Sequence, residues 1–204
     1  MIGRRWMLVV GMALGLGGTA DAATEDGSFA IRGIGGDSCR AFLQRLQADE
    51  RVPPVALSWL LGYSTAFNRA EAGTFDASPL TDPSAILQLV VAVCEKLPDA
   101  LVDTVAHDLL QSLATARVTR PSPLVETRAG ENVANVRRET LMQMQQALIQ
   151  LGLLSGTPDG VFGPQTATAV RVFQQQQGLE TTGVADSATI FRLLVELPAS
   201  ASSN

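Results

Sequence analysis

Asp159-Gly160-Val161-Phe162-Gly163-Pro164-Gln165-Thr166 lies between two runs of helical periodicity and decides how the end of this chain folds. Pro158 has no amide hydrogen to donate and Asp159-Gly160 is a strong turn pair, so the chain reverses here. Phe162 is the obvious residue to bury beneath the turn and anchor it. Gly163-Pro164 then restarts a helix, because proline is preorganised for the first helical position. Asp159 fits an Asx-type turn onto the Phe162 or Gly163 amide.

Working outward, Leu141, Met144, Leu148 and Leu151 fall at i, i+3, i+7 and i+10, the stripe of an amphipathic helix, and Gly152 stands where a left-handed cap ends it. Downstream, Thr166, Val170 and Phe173 belong to the second helix, which Gly178 closes before Leu179 packs back. Thr182-Gly183 turns the chain again. Asp186 caps a third helix whose buried face is Ile190, Leu193, Leu194 and Leu197. Three short helices then share one small core. Gly160, Phe162, Gly163, Val170, Phe173 and Gly178 read as its framework.

The order helix, DG-x-FG-x-x-T loop, helix with V-x-x-F-Q, G-L, turn and short helix, from Arg137 to Leu194, resembles the peptidoglycan-binding module of bacterial cell-wall proteins. The resemblance implies a three-helix fold over 137–197 and peptidoglycan as partner, with a motif that identifies the module more than its contacts. Asp159 could instead offer its carboxylate to a sugar hydroxyl or peptide amine. Gln174 to Gln177 could hydrogen-bond a glycan or stem peptide, although a polar run on a helix is more often a solvated face.

Export is expected from the other end. Arg4-Arg5 precedes an apolar stretch from Trp6 to Leu16, and Ala20-Asp21-Ala22 offers a small-x-small cleavage pattern, so residues 1–22 read as a Sec-type signal peptide cut after Ala22, with the periplasm as destination. Downstream, even Ile86 to Leu97 is interrupted by Gln88 and Glu95, so no membrane span is expected in the mature chain. In an oxidising compartment the two cysteines, Cys39 and Cys94, are most simply a disulfide, whereas two cysteines and one histidine complete a zinc site only if carboxylates fill in. Removing the signal takes Arg4, Arg5 and Asp21 from 15 basic and 20 acidic residues, leaving a net charge of −6. Nucleic acid is thereby excluded as a plausible partner, since phosphate neutralisation needs clustered cations. Binding to an anionic wall polymer must come from shape, hydrogen bonds and apolar contact.

Residues 28–117 read as a four-helix domain. Cys39, Phe42, Leu43 and Leu46 mark a first helix from Asp37 or Ser38; Pro53-Pro54 begins a second, Val55 to about Ala72, facing inward with Leu57, Leu61, Trp59 and Tyr63. Asp82-Pro83 caps a third carrying Ile86, Leu89, Val90, Val93 and Cys94, and Pro98 opens a fourth through Leu101, Val105, Leu109 and Leu113. The disulfide would tie the first helix to the third. The succession Ser38-Cys39-Arg40-Ala41-Phe42-Leu43, Gly62-Tyr63 with Asn68, Asp82, and Val90-x-x-x-Cys94 with Pro98 is similar to periplasmic acid-stress chaperones of the HdeA type. That likeness implies the Cys39–Cys94 bridge and a fold that loosens in acid to bind unfolding client proteins. The chain departs from the family in its longer cysteine interval, its scarcity of lysine and the fused C-terminal module. Residues 118–136, with Pro121, Pro123 and Gly130 and no apolar period, read as a linker, and 198–204 as a disordered tail.

Catalysis finds little support. His107 is the only histidine, too few for a zinc peptidase, and both cysteines are better used as a bridge than as a nucleophile. A muramidase needs only two carboxylates, and Glu50, Glu71, Asp76 and Glu95 leave it as the alternative, together with an accessory or inhibitor of such a hydrolase. The sequence therefore predicts an all-α, non-catalytic protein without cofactor or metal: a disulfide-linked four-helix domain followed by a three-helix peptidoglycan-binding module.

Overall fold

Ser38 starts the first helix. In the computed structural model, which describes residues 24 and 28–198, its side chain accepts from the Ala41 amide at 3.3 Å at the head of α1 (Cys39–Ala48). The amides left over at that helix end are met from outside it: Cys39 N–H donates to the Ala100 carbonyl and Arg40 N–H to the Pro98 carbonyl, both at 2.8 Å. The expected signal peptide and its cleavage site lie outside the described residues, as does the expected tail except for Pro198. The chain divides into two units, Met1–Ala30 and Ile31–Asn204, and every described helix and strand lies in the second.

α2 (Val52–Ala70) takes in Pro53 and Pro54 within its first turn, so it begins ahead of the expected Val55. It buries Val52, Ala56 and Leu60, one residue out of step with the expected stripe, and leaves Leu61 44% exposed. This helix is apolar on nearly every side, and the position of its neighbours, not its own periodicity, selects the buried face. Trp59 lies over the short 3₁₀ turn Gly33–Gly36, its indole N–H donating to the Arg32 carbonyl at 2.8 Å. A Cβ at Gly35 would stand 2.4 Å from that ring, so only glycine admits it. α3 (Pro83–Lys96) starts at Asp82, whose carboxylate accepts from the Ser84 amide at 2.9 Å.

α4 spans Val102–Leu113 and does not open at Pro98 as expected. Pro98 and Ala100 turn their carbonyls to α1, Ser38 pairs with Leu101 in an isolated antiparallel bridge, and Leu101 is 38% exposed. Cys39 and Cys94, both fully buried, form the disulfide between α1 and α3 with Cα atoms 4.9 Å apart. Closing a loop of 55 residues restricts the unfolded chain by about 4 kcal/mol in the chain-entropy model. Phe42, Val90, Val102 and Leu113 complete the core around it.

The stretch expected as a linker is instead an antiparallel hairpin, β1 (Leu124–Ala129) and β2 (Asn132–Arg137), turning at Gly130 with φ 65°. Only Thr127 on β1 and Val136 on β2 are buried, so the strands carry almost no apolar alternation to betray them. Polar bonds hold the hairpin in place. The Thr127 hydroxyl donates to the Ala134 carbonyl and accepts from the Ala185 amide, while the Asn132 side chain donates to the Thr182 carbonyl at 2.9 Å. At the end of β2, the half-buried Arg137 meets Asp76 at 3.0 Å, and its guanidinium sits 4.9 Å from the centre of the Phe75 ring. Val118, fully buried, pairs with Asp76 in a further bridge.

The last helices are α5 (Arg138–Gln150), α6 (Pro164–Gln177) and α7 (Ser187–Phe191), the last running on through a π turn, Arg192–Glu196. Leu141, Met144, Leu148, Val170 and Phe173 are fully buried, with Ile190 and Leu193 nearly so. Leu151, expected on the same stripe, is the residue at which α5 ends and is 51% exposed. The described residues are thus mostly helical, with one small sheet that the all-α expectation lacked. None of their helices is long and apolar enough to cross a membrane.

Candidate functional site

Gln145, a polar residue on the inner face of α5, organises the Asp159–Thr166 loop. Its carboxamide is almost wholly buried; Oε1 accepts from the Asp159 and Gly160 amides at 2.9 and 2.8 Å, and Nε2 donates to Asp159 Oδ1 at 2.8 Å and the Val161 carbonyl at 3.0 Å. The side chain thus supplies in one group the bonds a sheet neighbour would otherwise provide. Phe162, expected as the anchor, is half-buried and packs on the core edge, because the polar clamp already fixes the turn. Asp159 accepts from Val161 N–H at 2.9 Å, an Asx turn one amide earlier than the expected Phe162 or Gly163. The Val161 amide bond, then the Gln145 bond, hold its carboxyl below the usual carboxylate range against a small desolvation effect.

Gly160 has φ 67°, and a Cβ there would stand 2.6 Å from Arg138 Cγ, so both backbone and space require glycine. Gly163 is the extended N-cap of α6, with Pro164 in its first turn. Thr166, Val170 and Phe173 point inward and are buried, and Gly178 ends the helix in the left-handed region at φ 65°.

A second clamp repeats the first. Gln174 is fully buried: Oε1 accepts from Gly183 N–H at 2.8 Å and Nε2 donates to the Thr182 and Thr189 hydroxyls at 2.8 Å each. Gly183 has φ 73° and lies under the Arg171 side chain as Gly160 lies under Arg138. Of the glutamines weighed as ligand contacts, Gln174 is therefore committed to the fold, and Gln177 accepts from Arg192 Nε at 2.9 Å. The repeated helix glutamine followed by a glycine turn was the available signal for both clamps.

With its framework bonds made internally, this region presents a hollow of ≈ 420 Å³ between the chain after α5 and the outer face of α6. Leu153, Leu154, Pro164, Ala169 and Val172 give it an apolar floor; Ser155, Gln165 and Thr168 supply polar groups. Such an apolar surface with a few polar groups is the usual form of a small-ligand site.

The carboxylates weighed for hydrolysis are dispersed. Glu71 meets Arg117 at 3.3 Å, Asp76 is held by Arg137, Glu50 is exposed, and Glu95 borders an apolar hollow with Leu46 and Val91. His107 on α4 stands edge-on to Phe67 at 5.8 Å and meets Gln111 at 3.0 Å. Among the described residues no cluster of three or more His, Cys, Asp or Glu could hold a metal ion.

A family comparison falls on the same region. Residues 137–193 match the family described as "Putative peptidoglycan binding domain". Over 82 residues the chain is 34% identical to the protein named "Localization factor PodJL" in two strains of Caulobacter vibrioides, NA1000 / CB15N and ATCC 19089 / CIP 103742 / CB 15. That stretch is 40% of this chain and 8% of the relative, so the chain spans less than a tenth of the curated relatives it matches. No solved structure gives a significant match.

Proposed function

We propose that this chain is an exported, non-catalytic protein that binds peptidoglycan through residues 137–197 and so holds its disulfide-linked helical part, residues 28–117, at the cell wall. The observation that carries the reading is the family match over 137–193, on a region whose two buried glutamines lock its turns and leave an outward hollow unspent. The buried disulfide favours an oxidising compartment, here the periplasm. The name of the Caulobacter relative, a localization factor, supports a module that positions what it is attached to.

The helical part is the functional load, offered to a protein client or partner as in the chaperone-like reading. It does not swing on a free tether: the Arg137–Asp76 pair, the Gln143 bond to the Arg117 carbonyl at 3.1 Å and the Thr119–Glu139 bonds fix the junction. Co-sedimentation of the exported chain with purified sacculi tests the reading; protein remaining in the supernatant at every sacculus concentration would refute it.

A further inference from the structure

The chemistry of the α6 hollow goes further than the family match, though it rests on the wall-binding reading. None of its lining side chains is charged. By contrast, a hollow of ≈ 340 Å³ beside β2 is lined by Asp82 and Asp186, and one of ≈ 250 Å³ behind α2 by Asp76 and Arg137. Among the described residues, no hydrogen bond engages the Gln165 carboxamide or the Ser155 hydroxyl. Thr168 spends its proton on the Pro164 carbonyl at 2.9 Å and keeps lone pairs to accept with.

Peptidoglycan offers two kinds of surface. Its stem peptides carry free carboxylates and amines, which would lose water in this hollow with no opposite charge to meet them. Its sugars have an apolar ring face, neutral hydroxyls and, on each ring, an N-acetyl group that combines an amide donor, an amide acceptor and a methyl. A free carboxamide can both donate to the acetyl carbonyl and accept from its N–H, while Leu154, Ala169 and Val172 provide an apolar seat for the methyl.

We propose that the α6 hollow recognises an N-acetylated sugar of the glycan strand, with Gln165 reading the acetamido group, and does not recognise the stem peptide. Gln165 and Val172 are exposed on α6, outside the core, so their substitution leaves the framework intact.

The test is displacement of the full chain from sacculi by three soluble probes: an N-acetylglucosamine tetramer, the same tetramer with its acetyl groups removed, and a synthetic stem pentapeptide. The acetylated sugar is expected to displace the protein, the deacetylated one to need at least about 10-fold more, and the peptide to have no effect. Gln165→Ala should weaken the acetylated sugar about 3- to 10-fold, the scale of one or two neutral hydrogen bonds. Amide NMR shifts on titration with the acetylated tetramer should centre on Ser155, Gln165 and Val172. Displacement by the peptide, indifference to acetylation, or shifts centred elsewhere overturn the proposal while the sacculus binding stands. Absence of sacculus binding defeats the wall-binding reading and this proposal together.

Discussion

Gln145→Leu isolates the clamp on which the 159–166 loop depends. Leucine keeps a similar volume at this buried position but removes the acceptor for the Asp159 and Gly160 amides. Gly160 is buried, so its N–H bears most of the penalty of an unmade bond, roughly 1–3 kcal/mol; Asp159 is exposed and its amide can recruit water at a smaller cost. The Asp159 carboxylate and Val161 carbonyl, which lose the Nε2 donor, also face solvent. Together these give a destabilisation of about 2–4 kcal/mol. Urea unfolding of the variant should show it as a lower midpoint, with hydrogen exchange at Gly160 and Val161 accelerated ahead of that in α6. Gln145→Glu supplies an internal control, since it keeps an acceptor but sets a second carboxylate against Asp159. Its defect should shrink as pH falls and the pair takes up a proton. A change below about 0.5 kcal/mol in the leucine variant, within the scatter of surface substitutions, would refute the clamp.

Gly160→Ala must adopt φ 67° and push aside the Arg138 stem, and should cost about 1–2 kcal/mol in a thermal melt; an unchanged melting temperature would show that the turn relaxes freely. Reduction of the Cys39–Cys94 bridge should destabilise by about 2–4 kcal/mol, and equal urea midpoints with and without reductant would contradict the buried staple. Asp103 on α4 is buried, which pushes its carboxyl above the usual range despite His107 nearby; it also joins burial in pushing the Tyr63 phenol up to about 12. A carboxyl raised in the folded state binds its proton more readily than in the unfolded chain. Its contribution therefore favours folding as pH falls through the folded value and is complete below the ordinary value of 3.8. Asp103→Asn should stabilise the protein at pH 7 and reduce the stability gained on mild acidification, an effect opposed to acid loosening; a less stable variant at pH 7 would refute it.

The punctuation of the helices was legible because it rests on local chemistry. Ser38, Asp82 and Asp186 cap as their side chains dictate, Gly178 supplies a left-handed stop, and the Leu141, Met144, Leu148 stripe is buried as spaced. What stayed hidden depends on partners distant in sequence. The hairpin has too few inward apolar residues to show a period of two, and its place is set by Ala185 and Thr182 far along the chain. Pro98 looks like a helix opener until α1 claims its carbonyl. Gln145 and Gln174 pass for solvated positions because the backbone amides they serve lie in loops 9 to 15 residues onward. The motif thus identified the C-terminal module and already contained Gln174, while the clamping roles of Gln145 and Gln174 and the hollow on α6 emerged only in three dimensions.

A binding isotherm of the full chain on purified sacculi, taken at low and high salt, addresses the central claim most directly. The chain and the wall polymer are both acidic, and the hollow offers neutral contacts, so attachment should be saturable and persist when salt screens surface charge. Linear, unsaturable uptake, or loss of binding on raising the salt, would contradict a shaped site on residues 137–193.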